Sequence, residues 1–223
     1  MKTAKWLSVL LAITLAVFFL SASIAVPILF RPYYEAQIDA LGLVSQTGWD
    51  AATIREAYHD VMDFLVWGAP FDTGTLQWSA SGRAHFSDCQ RLFRLNFVLL
   101  GVSALLLLLF GWLHRKRHIR FPRLLGRSPA FWAAAGMCIL LLAAAAWAAI
   151  DFDSLFRTFH QAFFPGETNW LFDPRTDEII LILPEAFWIR TGALVIILSL
   201  GGAVLTAAVA EYLHRRRPAT STS

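Results

Sequence analysis

Two histidines, His85 and His160, are the residues in this sequence whose type and spacing favour chemistry. His85 lies ten residues before the second of four apolar segments, and His160 lies ten residues after the third. If both segments are helices that continue past their apolar parts, the two imidazoles lie at similar heights, about 15 Å beyond the segment ends. Paired imidazoles can act as general base and general acid near neutral pH. Asp88 follows His85 by three residues on the same helical face and can orient its ring.

Signals for other kinds of chemistry are absent from the sequence. It contains no GxSxG nucleophile elbow, no HExxH metal motif and no glycine-rich phosphate loop. The carboxylates near His85 and His160 do not have the tight spacing of metal ligands, so we predict that the protein uses no metal and no cofactor. Cys89 and Cys138 fall at different depths along their helices, which argues against a disulfide.

The helices that carry these histidines are predicted from hydropathy. The sequence has 223 residues, of which 57% are hydrophobic and 16% are charged, whereas soluble domains have about 25% charged residues. Its apolar residues are concentrated in four segments of about the 20 residues that a bilayer-spanning helix needs, at 6–30, 95–113, 130–150 and 191–210. The sequence therefore predicts an all-α membrane protein in which residues 1–223 form a single polytopic domain with four transmembrane helices.

The distribution of charge predicts how these helices are oriented. The N-terminus, the loop between the second and third helices and the C-terminus together contain 11 of the 19 basic residues and one of the 16 acidic residues. Because basic residues concentrate in cytoplasmic loops, both termini are predicted to lie inside, and residues 31–94 and 151–190 to form a small extracellular helical cap. The basic clusters follow the ends of spans, so we expect them to contact anionic membrane lipids rather than nucleic acid.

The first helix has an alternative interpretation as a cleavable signal peptide. Basic residues precede its apolar stretch, and small residues follow at 21–25. However, the apolar run continues to Phe30, which is longer than a usual signal core and favours an uncleaved helix. In either case the chain from Arg31 onward is expected outside.

Local patterns predict the elements of the first part of the cap. A short helix is predicted at 32–43, with a proline near its first turn. Asp50 is suited to cap a second helix, whose apolar residues recur at helical spacing. A loop follows at 68–74, and from about Ser81 the chain is expected to be helical again into the second span.

The second part of the cap begins with a stripe of phenylalanines on one helical face. These are Phe152, Phe156, Phe159 and Phe163. The stripe predicts that the third helix continues above the membrane until Pro165. A turn at 173–174 and a short apolar piece at 179–183 follow, and Pro184 opens the fourth span.

Aromatic and polar side chains are interleaved after His160. Aromatic belts are ordinary at membrane interfaces, which accounts for the rings without a binding site. Such a belt accounts less well for the polar residues, which give this edge many possible hydrogen-bond partners. These polar residues are Asn169, Asp173, Arg175, Asp177, Glu178 and Glu185.

Two stretches of the sequence resemble a known family. They are HFSDCQRLF, just before the second span, and FRTFHQAFFPGETNWLFDPRTDEIILILPEAFW, before the fourth. The second combines a histidine followed by paired phenylalanines, an aromatic-Asp-Pro turn and Leu-Pro-Glu before the last span. With the four-span layout, this pattern resembles the bacterial integral membrane proteins of the lipoprotein intramolecular transacylase family.

The resemblance implies an acyltransferase of the bacterial cell membrane whose active site lies on the outer face. In this family an acyl chain moves within one diacylglyceryl-modified lipoprotein, from the sn-2 glycerol oxygen to the amine of the N-terminal cysteine, which gives a lyso-form lipoprotein. Lipoproteins and membrane lipids are therefore the expected partners, and no external acyl donor is needed.

Two histidines are catalytic in the family, and they match His85 and His160. The resemblance does not say which is the base and which is the acid. An acidic residue often precedes the first family histidine by three or four positions, where this sequence has Ser81 and Gly82. That difference puts carboxylate assistance from this side in doubt, although Asp88 remains.

The implied reaction closes a medium-sized ring, so a confined pocket must hold the two ends of the substrate together. The oxyanion that forms also needs hydrogen-bond donors, for which Asn169, Arg175 and the Trp170 indole are candidates. Asp177 and Glu185 either brace the cap or touch the substrate. The predicted substrate-binding wall consists of Phe163, Phe164, Trp170, Phe172 and Trp188.

Two other functions compete with this one. In the first, the protein is a noncatalytic membrane scaffold, in which both histidines only pack and their replacement leaves function intact. It can also be a different His-dependent lipid-modifying enzyme, whose loss would leave lipoprotein N-termini unchanged.

Overall fold

Helices account for all the regular elements in the described parts of the chain, residues 5–116 and 118–216 of the computed structural model. They are α1 Lys5–Leu29, α2 Pro32–Ala40, α3 Leu43–Thr47, α4 Ala51–Trp67, α5 Ala80–Arg115, α6 Pro129–Ile150, α7 Phe152–Phe163 and α8 Glu185–Arg215, with a 3₁₀ turn at Glu178–Ile182. Four of them, α1, α5, α6 and α8, are long and apolar enough to cross a membrane. The predicted all-α membrane fold with four such helices is confirmed.

Helix α5 is longer than a bilayer requires. Its 36 residues extend about 54 Å, whereas the hydrocarbon core is about 30 Å thick. The apolar part is residues 95–113, and residues 80–94 carry most of the charged side chains and precede that part. His85 therefore lies on the polar extension of α5, outside the span-length segment.

The contacts of the chain form two compact units. One comprises described residues of 1–23, 98–144 and 195–223, and the other comprises residues 24–97 and 145–194. The prediction of a single polytopic domain stays a prediction.

Small residues form the core of the first unit, as their density in the third and fourth spans predicts. Ala134 and Met137 of α6 pack with Ala203 of α8. A Cβ added at Gly202 would lie 2.6 Å from Cδ1 of Phe19, so glycine allows α8 to approach α1 closely.

The second unit has a core of larger side chains. Tyr34 of α2 stacks on Tyr58 of α4, with 3.6 Å between ring centroids, and its hydroxyl donates to the carbonyl of Ile182 at 2.9 Å. Asp50 accepts from the amide of Thr53 at 2.8 Å, which confirms the predicted N-cap of α4. These contacts join α2, α4 and the 3₁₀ turn into one packed layer.

Two predicted helix boundaries were wrong. The helix predicted at 32–43 ends at Ala40, because Gly42 adopts φ +63° and separates it from α3. The third long helix does not continue along the phenylalanine stripe, since it is interrupted at Asp151. The Asp151 carboxylate accepts from the amide of Ser154 at 2.9 Å and so begins α7 as a new helix.

The predicted membrane orientation stays a prediction. Three of the basic residues on which it rests, Lys2, Arg117 and Arg217, lie outside the described residues.

Candidate active site

His85 of α5 and His160 of α7 lie side by side in the second unit. Their ring centroids are 5.6 Å apart and the ring planes differ by 35°. Both are buried, with 5% and 7% of their surface exposed. The sequence predicted this proximity from matched heights, although His160 reaches its place on a separate helix.

Aromatic rings enclose the two imidazoles. Phe164 contacts both, with centroids 5.0 Å from His85 and 5.7 Å from His160. Phe172 packs edge-on against His85 at 5.4 Å, and Trp170 lies 4.8 Å from His160. These rings keep water away from both imidazoles.

The enclosure makes both imidazoles weak bases. Burial, and secondarily the neighbouring His160, lowers the pKa of His85 to about 4, against the opposing effects of Asp88 and Asn169. Burial also lowers the pKa of His160. Both rings are therefore neutral at pH 7 and available to accept a proton.

His160 has a defined tautomer in this arrangement. Its Nδ1 lies 2.8 Å from the backbone carbonyl of Phe156, one helical turn earlier. A carbonyl oxygen only accepts hydrogen bonds, so Nδ1 donates and the lone pair is on Nε2.

His85 has a different set of neighbours. Its Nε2 lies 3.4 Å from Sγ of Cys89, which is one turn later on α5. Burial, and secondarily the charge of Asp88, raises the pKa of the Cys89 thiol to about 12, so the thiol stays protonated. Asp88 itself accepts from Nδ2 of Asn169 at 3.0 Å and from Arg91 at 3.0 Å.

Some of the predicted pocket residues lie at the pair and others lie away from it. Phe164, Trp170 and Phe172 contact the imidazoles, as described above. Phe163 is half exposed and packs on Phe159, 4.6 Å between centroids. Trp188 packs on Phe187, and its indole donates to the carbonyl of Leu183 at 3.0 Å.

The predicted polar residues also differ in their surroundings. Arg175 forms an exposed ion pair with Asp173 at 2.7 Å, and these hydrogen bonds lower the pKa of the Asp173 carboxyl to about 2. The Trp170 indole donates to the carbonyl of Glu167 at 2.9 Å. Glu185 is an exposed residue in the first turn of α8.

Asp177 is buried and supports the start of α5. Its carboxylate accepts from the amide and the hydroxyl of Ser79, each at 2.8 Å. A Cβ added at Gly82 would lie 2.1 Å from Oδ1 of Asp177 and 3.0 Å from Cε1 of Phe172. Glycine at this position therefore makes room both for the carboxylate and for a ring that packs on His85.

Sequence reasoning missed two neighbours of the histidines. Phe156 lies against His160 with 4.0 Å between centroids, and Cys89 contacts His85. Each is four residues from its histidine, a spacing that places side chains together on a helix. That spacing was the available signal for both.

Two open cavities flank α7. One, of about 280 Å³, is lined by Asp153, Arg157 and a mainly apolar wall that includes Phe156, Trp170 and Phe172. The other, of about 310 Å³, is lined by Asp88, Arg91 and Glu167 together with Phe163 and Phe164. Within the part of the chain that the structure describes, no three His, Cys, Asp or Glu side chains are grouped so as to hold a metal ion.

Comparison with known proteins points to one family. The family model of the lipoprotein intramolecular transacylase Lit matches residues 9–188. No curated protein sequence matches the chain.

Three solved structures are similar to this chain, and each is a structure of the membrane integral lipoprotein intramolecular transacylase Lit from Bacillus cereus. Each has 22% sequence identity to this chain and covers 95% of it. One has a TM-score of 0.84 and is covered over 96% of its length. The other two, each with a TM-score of 0.77, are variants in which a histidine of that protein is replaced by arginine or by alanine, covered over 92% and 94% of their length. At this identity the likeness concerns the fold.

Proposed function

Since this chain belongs to the lipoprotein intramolecular transacylase family, we propose that it moves an acyl chain within a diacylglyceryl-modified lipoprotein. The chain leaves the sn-2 glycerol oxygen and is attached to the amine of the N-terminal cysteine, which gives a lyso-form lipoprotein. The enzyme is proposed to lie in the bacterial cell membrane with both termini inside and the histidine pair on the outer face. Its partners are lipoproteins and membrane lipids, and nucleic acid has no part in its function.

The observation that carries this proposal is the pair of buried imidazoles, 5.6 Å apart, within an aromatic enclosure. Aminolysis of an ester needs a group that removes a proton from the attacking nitrogen and a group that supplies a proton to the departing oxygen. Two neutral imidazoles at this separation can serve both ends of one reacting group.

The proton count of the reaction suits two bases. The substrate amine enters as an ammonium ion and gives one proton to the first imidazole. The nitrogen then attacks the ester carbonyl, a C–N bond forms, and the second imidazole takes another proton from that nitrogen. The C–O bond to glycerol breaks, and the first imidazole returns its proton to the glycerol oxygen. One proton is released to solvent when the reaction begins from the ammonium form.

The aromatic enclosure would serve the ring closure. Holding the amine and the ester together removes most of the entropic cost of closing a medium-sized ring, a contribution of about 7–11 kcal/mol in well-oriented intramolecular reactions. Phe164 lies against both imidazoles, Trp170 against His160 and Phe172 against His85, so these are the rings proposed to confine the reacting groups.

The test is mass spectrometry of the N-terminal lipopeptide of a reporter lipoprotein, made with and without this protein in a host that leaves the cysteine amine free. We expect the total mass to be unchanged while fragmentation places one acyl chain on nitrogen. H85A and H160A should each abolish the transfer. H59A is the matched control, because His59 lies on α4 in the same unit and bonds to Glu35 at 3.0 Å.

Other outcomes would contradict the proposal. Full transfer in either histidine variant would remove the two-histidine scheme. If both acyl chains stay on glycerol with the wild-type protein present, the substrate is a different lipid or the site is a binding surface.

A further inference from the structure

At the histidine pair, two buried polar side-chain atoms have no hydrogen-bond partner among the residues that the structure describes. They are Nδ1 of His85 and Oδ1 of Asn169. An unpaired buried polar atom lowers the stability of the fold by about 1–3 kcal/mol, so such atoms are rare in native structures. The two atoms are also complementary, because an imidazole N–H is a donor and an amide oxygen is an acceptor.

The orientation of the Asn169 amide is fixed by its other neighbour. Nδ2 of Asn169 donates to Oδ2 of Asp88 at 3.0 Å, and a carboxylate can only accept. The amide oxygen is therefore the atom left for His85. Asn169 also lies within interaction range of the His85 ring, where it favours the protonated imidazole and so opposes the lowering of its pKa.

We propose that Asn169 is a positioning residue for His85: held by Asp88, its Oδ1 accepts from Nδ1–H of His85 and keeps the lone pair on Nε2. This bond would complete a chain of hydrogen bonds from Asp88 through Asn169 to His85. The catalytic role of Asn169 in this proposal rests on the proposed function. The assigned tautomer of His85 does not depend on that function.

Cys89 is consistent with the same tautomer. Its Sγ lies 3.4 Å from Nε2 of His85, and the protonated thiol can donate to a lone pair there. The S–H group is a weak donor, so this contact leaves Nε2 able to accept a proton from the substrate.

The arrangement makes the two histidines equivalent in one respect. His160 donates from Nδ1 to the carbonyl of Phe156, and His85 donates from Nδ1 to Asn169. Both rings then present Nε2 as the basic atom. Neither is an acid at rest, so the acid of the reaction is whichever imidazole has taken the first proton from the substrate ammonium.

An alternative role for Asn169 makes a different prediction. As an oxyanion donor it would stabilise the tetrahedral intermediate and leave the His85 tautomer unaffected. The tautomer is therefore the quantity to measure.

The experiment uses the full-length protein, labelled with ¹⁵N-histidine and purified in detergent micelles, with tautomers assigned from the ¹⁵N chemical shifts. H85Q identifies the signals of His85. For wild type we expect a protonated Nδ1 and a basic Nε2. In N169L the acceptor is lost, so the Nδ1–H population of His85 should fall, while the His160 signals stay unchanged.

Activity gives a second, separate readout. Removing the hydrogen-bond partner that orients a metal-bound histidine costs about 10–100-fold; by analogy, we expect N169L to lower kcat by a similar factor with KM nearly unchanged. D88L should shift the His85 tautomer in the same direction, whereas D88N, whose amide oxygen still accepts from Asn169, should shift it less. Q161L is the control, because Gln161 is exposed on α7.

The outcomes separate the two proposals. An unchanged His85 tautomer in both N169L and D88L, with melting temperatures like that of wild type, overturns the positioning role. A shifted tautomer in a protein whose wild type transfers no acyl chain supports the positioning role and contradicts the proposed function.

Discussion

At the scale of single residues, the aromatic rings around His85 and His160 decide the charge of the pair. Desolvation disfavours the imidazolium ion, and the nearby carboxylate of Asp88 only partly offsets it at His85. An imidazole without a proton is the form that can receive one from a substrate ammonium. The rings proposed to confine the reacting groups therefore also keep both imidazoles unprotonated.

The lowered pKa of His85 predicts how stability depends on pH. An unfolded histidine takes up a proton near pH 6.5, whereas folded His85 does so only near pH 4. Between these values the unfolded state binds more protons, so stability falls as the pH falls. We expect H85Q, which cannot titrate, to lose less melting temperature than wild type between pH 7 and pH 5 in detergent. H59Q is the control, and equal losses in H85Q and wild type would contradict the assignment.

Trp170 is expected to matter through the shape of the pocket. Its ring packs 4.8 Å from His160 and lines the cavity of about 280 Å³ beside α7. W170A opens this wall, so acyl transfer should fall by at least about tenfold, as expected when groups that hold the reacting geometry are lost. W67A is the matched control, because Trp67 is an exposed tryptophan at the end of α4 that lines neither cavity. Transfer in W170A at the wild-type rate would mean that the pocket is placed wrongly.

At the scale of elements, the start of α5 is tied to the segment that follows α7. Asp177 accepts two hydrogen bonds from Ser79, just before the first residue of α5, and Phe172 of the same segment packs on His85. Both contacts need the space that Gly82 leaves. The orientation of His85 thus depends on Asp177, which lies 92 positions later in the chain.

Gly82→Ala tests this dependence. The added Cβ would meet Asp177 Oδ1 at 2.1 Å, so the carboxylate must move off Ser79 or the helix must shift. We expect a loss of about 1–3 kcal/mol in stability and reduced transfer, measured by thermal unfolding and by the lipopeptide assay. Gly101→Ala is the matched control, because a Cβ at this position of the same helix meets nothing within 4 Å. Equal behaviour of the two variants would show that Gly82 is not needed for space.

The sequence predicted the elements where one local property decides them. Length and hydropathy identify the four long helices, and the Asp50 cap follows from residue type. The break at Asp151 was missed because the phenylalanines keep the same helical spacing whether or not the helix is continuous. The contact of Asn169 with Asp88 was also missed, since 81 residues separate them and no local pattern links them.

At the scale of the whole molecule, the proposal requires that the histidine pair face the side where lipoproteins are modified. The orientation is argued from charge, because 11 of the 19 basic residues lie at the termini and in the loop between the second and third long helices. If all four membrane-length helices span the bilayer, both termini lie on one side and residues 31–94 and 151–190 lie on the other.

Cysteine labelling in intact cells tests this orientation. In a C89S/C138S background, we expect Q46C on α3 to react with a membrane-impermeant maleimide without permeabilisation. H118C, in the loop after α5, should react only after permeabilisation, and both positions are exposed on the protein surface. The pair is matched because each variant adds one exposed thiol and removes no lysine or arginine. The opposite labelling pattern would place the histidine pair inside the cell, where the proposed reaction has no route to its lipoprotein substrate.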